Sequence, residues 1–278
     1  MMQSENKASD LKLAVIGAGK IGEAIIEAIL KSGKWSKSQI TATTRKKERL
    51  AYLSEKHGVA TADNSTAVHT ADVVLICVKP QIAQSVFAEI NASLKPGVLI
   101  ISIMAGITIN QMEKWTDGKI PVIRAMPNTP LRVGKAMTAL SGGKNTTDAH
   151  LQISVDLFDI MGRTRILDEK YFDAITSLSA SGPAFIYIII ESLAEGGVKA
   201  GLPRDVATEL ASQACLGAAS MVLETGQHPA LLKDEVTTPA GCTIDGILKL
   251  EEGGIRVTLI KTIMEAAKKA TELGKKTT

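Results

Sequence analysis

Aromatic residues make up only 3% of this 278-residue chain, too few for the stacking platforms that single-stranded nucleic acids need. Charge of one sign is also scarce. Against 32 Lys and Arg stand 29 Asp and Glu, a net charge of +3 with the signs interspersed, so no basic stripe marks a nucleic-acid partner. Cys77, Cys215 and Cys242 lie far apart without a CxxC, and the four histidines form no HExxH or comparable cluster. Neither a disulfide framework nor a metal site is signalled. No apolar run approaches the roughly 18 residues of a membrane helix, and the polar opening MMQSENKASD lacks the apolar core of a signal peptide. These absences lead us to expect a cytoplasmic protein with neither nucleic acid nor membrane as partner.

What is present is a change of texture along the chain. Residues 1–10 are expected to form a flexible tail, and residues 11–168 alternate short β-rich runs with helical ones. LKLAVIG, SQITATT, DVVLICVKP, VLIISIM and PVIRAMP read as strands. IGEAIIEAILKSG, KERLAYLSEKHG and SVFAEINASL read as the helices between them. KAMTAL and RTRIL are read as further strands flanking a helix around residues 149–161. Such alternation predicts an α/β domain of Rossmann type, a doubly wound parallel sheet with helices on both faces.

Residues 169–278 show no strand alternation and predict an all-helical domain. FIYIII (185–190) is apolar all round and is expected to be buried on every side. The next helix presents Ala207, Ala211, Ala214, Cys215, Ala218 and Ala219, small residues that allow close helix approach. A last helix is expected over about residues 243–273. So few residues cannot cover a helix that is apolar on all sides, which points to a homodimer through this domain. Within it DEVTTPAGCTIDG (234–246) interrupts the helical pattern with small, hydroxyl-rich residues, a composition that lets backbone approach a partner closely.

VIGAGKIGEAI sets Gly17, Gly19 and Gly22 in G-x-G-x-x-G between a predicted strand and helix. This is the dinucleotide fingerprint: a tight turn, close approach to pyrophosphate, and helix-to-strand packing, with phosphate at the helix N-terminus. About twenty residues on, where an acid would bind the ribose hydroxyls of NAD, stand Thr43, Thr44 and Arg45. Hydroxyls and a guanidinium can hold a ribose phosphate, so NADP(H) is expected, with NAD(H) as the alternative.

VKPQ (78–81), SIMAGITI (102–109), RAMPNTP (124–130), SASGPAF (179–185) and TTPAGCT (237–243) occur in this order, and the set resembles pyrroline-5-carboxylate reductase over nearly the whole chain. The resemblance implies a Rossmann domain followed by a helical dimerisation domain, reduction of a cyclic imino acid by NAD(P)H to give L-proline, and assemblies built from dimers. Carried over by motif, Gly17, Ala18, Gly19, Lys20, Ile21 and Gly22 would contact pyrophosphate. Thr43, Thr44 and Arg45 would contact the adenosine ribose and its phosphate, and Asn64 the adenine side. Val78, Lys79 and Ala105 would line the nicotinamide half. Gly241, Cys242 and Thr243, with Glu169, would hold the substrate, and Thr243 and Lys79 are the candidate catalytic residues.

The implied chemistry asks little of acid catalysis, because a protonated ring nitrogen is already an electrophile. The helix starting near Thr243 would offer N–H groups and its positive end to the substrate carboxylate; the other reading of Thr243 or Thr238 is a helix N-cap. The chain departs from the usual SGSGPAY and SPGGTT at Ala180, Phe185, Thr238, Ala240 and Cys242. The two Gly-to-Ala changes are costly only where backbone φ is positive. Two other readings stay open here: another two-domain NADP oxidoreductase, of β-hydroxyacid or deazaflavin type, and a nucleotide-sensing Rossmann protein without turnover.

Overall fold

The computed structural model describes residues 11–276. Strands β1 (Leu13–Ile16), β2 (Ile40–Thr43), β3 (Ala60–Thr61), β4 (Val73–Ile76), β5 (Leu99–Ser102), β6 (Val122–Met126), β7 (Ala136–Gly142) and β8 (Gly162–Ile166) form one sheet. Its order is β3-β2-β1-β4-β5-β6-β7-β8. Pairing is parallel from β3 to β6. The central strands β1 and β4, LAVI and VVLI, are unbroken apolar runs because both faces are covered. Leu13, Val15, Val73 and Leu75 pack with Ile25, Ile26 and Ile29 of α1 (Lys20–Ser32), Leu53 of α2 (Lys47–His57), and Leu157 and Phe158 of α6 (Asp148–Phe158). The alternate residues Ala14, Ile16, Val74 and Ile76 pack with Val68 of α3 (Asn64–Thr70), Phe87 of α4 (Ala83–Ile90) and Met112 of α5 (Ile109–Trp115).

The parallel order expected throughout fails at one place: β7 runs antiparallel to β6. The connection over residues 127–135 is too short for the crossover that a parallel neighbour needs. β8 returns parallel to β7 through α6. The sequence reading also missed β3, α3 and α5, each brief or polar. Their capping signals were nevertheless present. Asp63 accepts from Thr66 N, and Thr108 and Gln111 form a reciprocal capping box.

Among the described residues, 11–180 and 266–276 make one compact unit, and Ser181–Glu265 a second; residue 168, the expected boundary, lies inside the first, and the expected tail over 1–10 lies outside the described residues. That unit includes α7 (Phe172–Ile175) and a π-helical turn, Thr176–Ala180. Phe172 is fully buried with Met126 and Ala139, and the Arg124 guanidinium lies 4.6 Å from its ring centre.

The second unit contains α8 (Gly182–Lys199), α9 (Arg204–Thr225), α10 (Pro229–Glu235), α11 (Cys242–Glu252) and the start of α12 (Ile255–Lys276). Ala194, Ala207 and Ala211 are buried between α8 and α9. A Cβ on Gly197 would sit 3.1 Å from that of Ala207. FIYIII is not buried within the chain: Tyr187 and Ile188 are 61% and 62% exposed, because α8 packs chiefly on α9 alone. The stretches Glu169–Lys199 and Arg204–Thr225 are long and apolar enough by length and composition to cross a membrane, although polar residues interrupt both. The single last helix is two, since Gly254 adopts φ +67 and its amide donates to Glu251 O at 2.9 Å, closing α11 with a left-handed turn.

Phe172→Ala is expected to cost about 3–5 kcal/mol of stability, the usual range for emptying a buried phenyl site; denaturant unfolding of the full chain checks this.

Candidate active site

The six parallel strands β1 to β6 end on the same edge of the sheet, and the direction of chain winding reverses between β1 and β4. Ligands of open α/β sheets bind at such a switch point. Gly17 follows β1 with φ +84, and a Cβ there would lie 2.5 Å from Val78 Cγ1 beyond β4. Gly19 is the N-cap of α1 and supplies no side-chain cap. Its own amide donates to Gly17 O at 2.7 Å. The amides of Lys20, Ile21 and Gly22 have no acceptor among the described residues, so the helix presents three N–H groups and its positive end. At Gly22 a Cβ would meet Gly17 O and Val15 Cγ1, both at 3.3 Å. Each glycine therefore has its own physical reason: the turn, the open approach and the helix-to-strand contact.

Thr43 is buried, and its hydroxyl accepts from Gly17 N at 3.3 Å and donates to Asn64 Oδ1 at 2.6 Å. Asn64 Nδ2 in turn donates to Glu89 at 3.1 Å. Both side chains are thus committed to bracing the loop. Thr44 and the exposed Arg45 make no hydrogen bond among the described residues. Lys79, also exposed, has its carbonyl on Ile82 N, 3.1 Å away. Exposed Ala105 precedes Gly106, which has φ +76, in the turn after β5. A groove of about 910 Å³ runs along the flank of α1 between Glu27, Lys31 and Arg132. It shares only Lys20 with the expected cofactor residues.

In the second unit, Gly241 N donates to Thr238 O at 3.1 Å. Pro239 and Ala240 lie between, with Ala240 at φ +55. Proline second and a left-handed third residue are the marks of a type II turn. A Cβ on Gly241 would collide with Thr238 Oγ1. Gly241, not Thr243 or Thr238, is the N-cap of α11, with no side-chain cap. Cys242 is exposed, Thr243 half-buried, and the Thr243 hydroxyl has no partner among the described residues. The capping role weighed for Thr243 thus falls away. The amides of Cys242, Thr243 and Ile244 likewise lack acceptors among the described residues.

Residues 169–273 match the profile described as pyrroline-5-carboxylate reductase dimerisation, and 12–106 the profile of NADP oxidoreductase, coenzyme F420-dependent. The pyrroline-5-carboxylate reductase of Arabidopsis thaliana is 42% identical over 267 residues, 96% of each chain. The chain belongs to the pyrroline-5-carboxylate reductase family. Solved structures agree: that of the reductase from Coxiella burnetii superposes with TM-score 0.89 at 33% identity, covering 95% of this chain and 98% of its own. The Plasmodium falciparum pyrroline carboxylate reductase with NADP bound gives 0.85 at 29% identity, with 96% and 99% covered.

For this member of the pyrroline-5-carboxylate reductase family, the departures noted in the sequence separate cleanly. Ala240 occupies a left-handed position that glycine would fill without strain. Ala180 ends the π-helical turn without positive φ. Glu169 is not a solvated loop carboxylate: it accepts from Ile109 N at 2.8 Å and pairs with buried Arg124 at 2.9 Å, joining α5 to β6. Asn128, the centre of MPNTP, donates to Ser179 O at 3.1 Å and accepts from Met137 N at 3.0 Å. It ties the end of β6 to the π-helical turn.

A charged cluster that no motif announces sits beside the glycine loop. Glu23 receives Arg49 at 2.5 Å, with Lys56 and His57 both at 3.1 Å. Burial pushes the Glu23 carboxyl up, but hydrogen bonds from His57, Arg49, Lys56 and Tyr52 outweigh it and bring the pKa from 4.5 to about 2. A lowered carboxyl pKa stabilises the fold above its unfolded value and loses that contribution as pH falls through the folded one. Acid unfolding between pH 4.5 and 2 is expected to be shallower in Glu23→Gln, measured by circular dichroism. At the other loop, Ala240→Gly is expected to raise stability by about 0.5–1 kcal/mol, relief of left-handed strain less the added chain entropy. Thermal unfolding of the variant against the parent checks it.

Proposed function

We propose that this chain reduces 1-pyrroline-5-carboxylate to L-proline with NAD(P)H, NADPH being preferred, the last step of proline biosynthesis. The observation that carries this reading is a pair of helix N-termini with unpaired amides, one in each unit. That of α1 suits a dinucleotide pyrophosphate, and that of α11 suits a small carboxylate. Full-length similarity to named reductases supports the substrate, and the NADP held by the Plasmodium relative supports the cofactor.

In this reading Gly17, Ala18, Gly19, Lys20, Ile21 and Gly22 receive the pyrophosphate, and Thr44 and Arg45 the ribose phosphate. Thr43 and Asn64 brace the loop from beneath. Val78, Lys79 and Ala105 line the nicotinamide half. The reduced nicotinamide supplies the hydride that adds to the imine carbon. Gly241, Cys242 and Thr243 bind and orient the carboxylate, and the unpartnered Thr243 hydroxyl hydrogen-bonds the ring nitrogen as charge leaves the double bond. Glu169 acts on the substrate only through the β6 and α5 elements that it joins. Residues 11–168 form the cofactor domain and 169–278 the substrate and dimerisation domain. The exposed apolar faces of α8 and α9 support a homodimer through the helical unit, able to build larger assemblies in the cytoplasm.

Loss of NADPH absorbance on adding pyrroline-5-carboxylate tests the proposal, and a folded, NADPH-binding preparation without turnover overturns it. Thr243→Ala is expected to lower kcat/KM roughly 10- to 150-fold, about 1.5–3 kcal/mol of lost hydrogen bonding to a charged substrate. Thr44→Asp is expected to move the steady-state preference toward NADH, since a carboxylate repels the ribose phosphate and accepts from ribose hydroxyls.

A further inference from the structure

The glycine loop is gripped from outside by a side chain that belongs to no nucleotide motif. Arg49, in the first turn of α2, turns Nε toward Ala18 O at 3.4 Å and Nη2 toward Gly19 O at 3.5 Å. Nη2 also reaches Glu23 Oε2 at 2.5 Å, and the guanidinium lies 4.8 Å from the centre of the Tyr52 ring. The two carbonyl contacts are long, so their value is electrostatic: a fixed cation facing two peptide oxygens.

Peptide geometry gives this contact a consequence. In a trans peptide the C=O and the following N–H point in opposite directions. Holding Gly19 O on both Glu23 N and Arg49 therefore aims the Lys20 amide the other way, out of the helix end where the Ile21 and Gly22 amides are also free. Backbone bonds also hold these peptides, Gly19 N to Gly17 O at 2.7 Å and Glu23 N to Gly19 O at 2.9 Å, and Arg49 adds a fixed cation that resists rotation where glycines flank Ala18. The Arg49 contact to Glu23 also neutralises a carboxylate placed beside the helix end where phosphate would sit.

We infer that Arg49 is a positioning residue for the dinucleotide, reinforcing from outside the loop the orientation of the Ala18 and Gly19 carbonyls that leaves the Lys20 amide facing phosphate. The inference rests on the proposal that NAD(P)H binds at this loop. It assigns a division of labour: Arg49 serves the pyrophosphate, common to both cofactors, and Arg45 the ribose phosphate, present in only one. Lysine cannot replace Arg49 fully, because a single ammonium cannot face two carbonyls and a carboxylate in the fork that a guanidinium provides.

The test is titration of the parent, Arg49→Gln, Arg49→Lys and Arg45→Ala with NADPH and with NADH, followed by nicotinamide fluorescence, with thermal melts in parallel. Arg49→Gln is expected to raise both Kd values by about tenfold or more with their ratio unchanged, and Arg49→Lys to raise both by less. Arg45→Ala is expected to raise the NADPH value alone. Weakening of NADPH alone in the Arg49 variants would mean direct contact with the ribose phosphate and overturns the inference. So do unchanged Kd values, or a lowered melting temperature with unchanged Kd, which leave only a structural ion pair. If Arg49→Gln does not fold, the lysine variant decides. A parent that binds neither cofactor removes the cofactor proposal itself, and this inference with it.

Discussion

Between β1 and β4 two backbones approach so closely that the position beyond β1 has no room for a side chain. Gly17 turns there with positive φ, its α-carbon pressed toward Val78. That contact sets where α1 begins, and the start of α1 sets which amides are left unpaired. Thr43 reinforces it from the neighbouring strand by accepting the Gly17 amide, and its own proton goes to Asn64. The nucleotide edge is thus a chain of constraints that begins with one missing Cβ. Thr43 and Asn64, expected from sequence to contact the cofactor, are also links in that chain.

The two loops with unpaired amides reach a similar chemical end by different backbone means. At α1 the left-handed residue is a glycine, at ease in that conformation. Before α11 it is Ala240, held at φ +55 by the turn between Thr238 and Gly241. The second loop therefore stores strain that the first does not, of the order of 1–2 kcal/mol. Proline at 239 limits the alternatives open to the chain, which helps the strained turn persist.

The sheet and its nucleotide loop were legible because local pattern and tertiary context agree. Apolar strands, capped helices and a glycine triplet at a strand end all point one way. The reversal of β7 was within reach of the sequence as well, since the short link after β6 forbids a crossover. Other features had no local signal. Glu169 and Arg124 are 45 positions apart, and only the sheet brings them together. Arg49 reads as one more charge at a helix start until the loop carbonyls are seen facing it. FIYIII reads as apolar on all sides, and the small number of residues left to cover it already points to a second copy; its exposure in the single chain agrees with that.

The exposed faces of α8 and α9 bear on the newly made chain as much as on the finished one. Ile186, Tyr187, Ile188, Leu193, Leu210 and Leu216 are all exposed in the single chain, and contiguous apolar surface of this kind is what drives unassembled proteins to aggregate. The sheet can be complete while these helices are still wet. How much of the protein survives its synthesis then depends less on the strength of the sheet than on how soon that surface is covered.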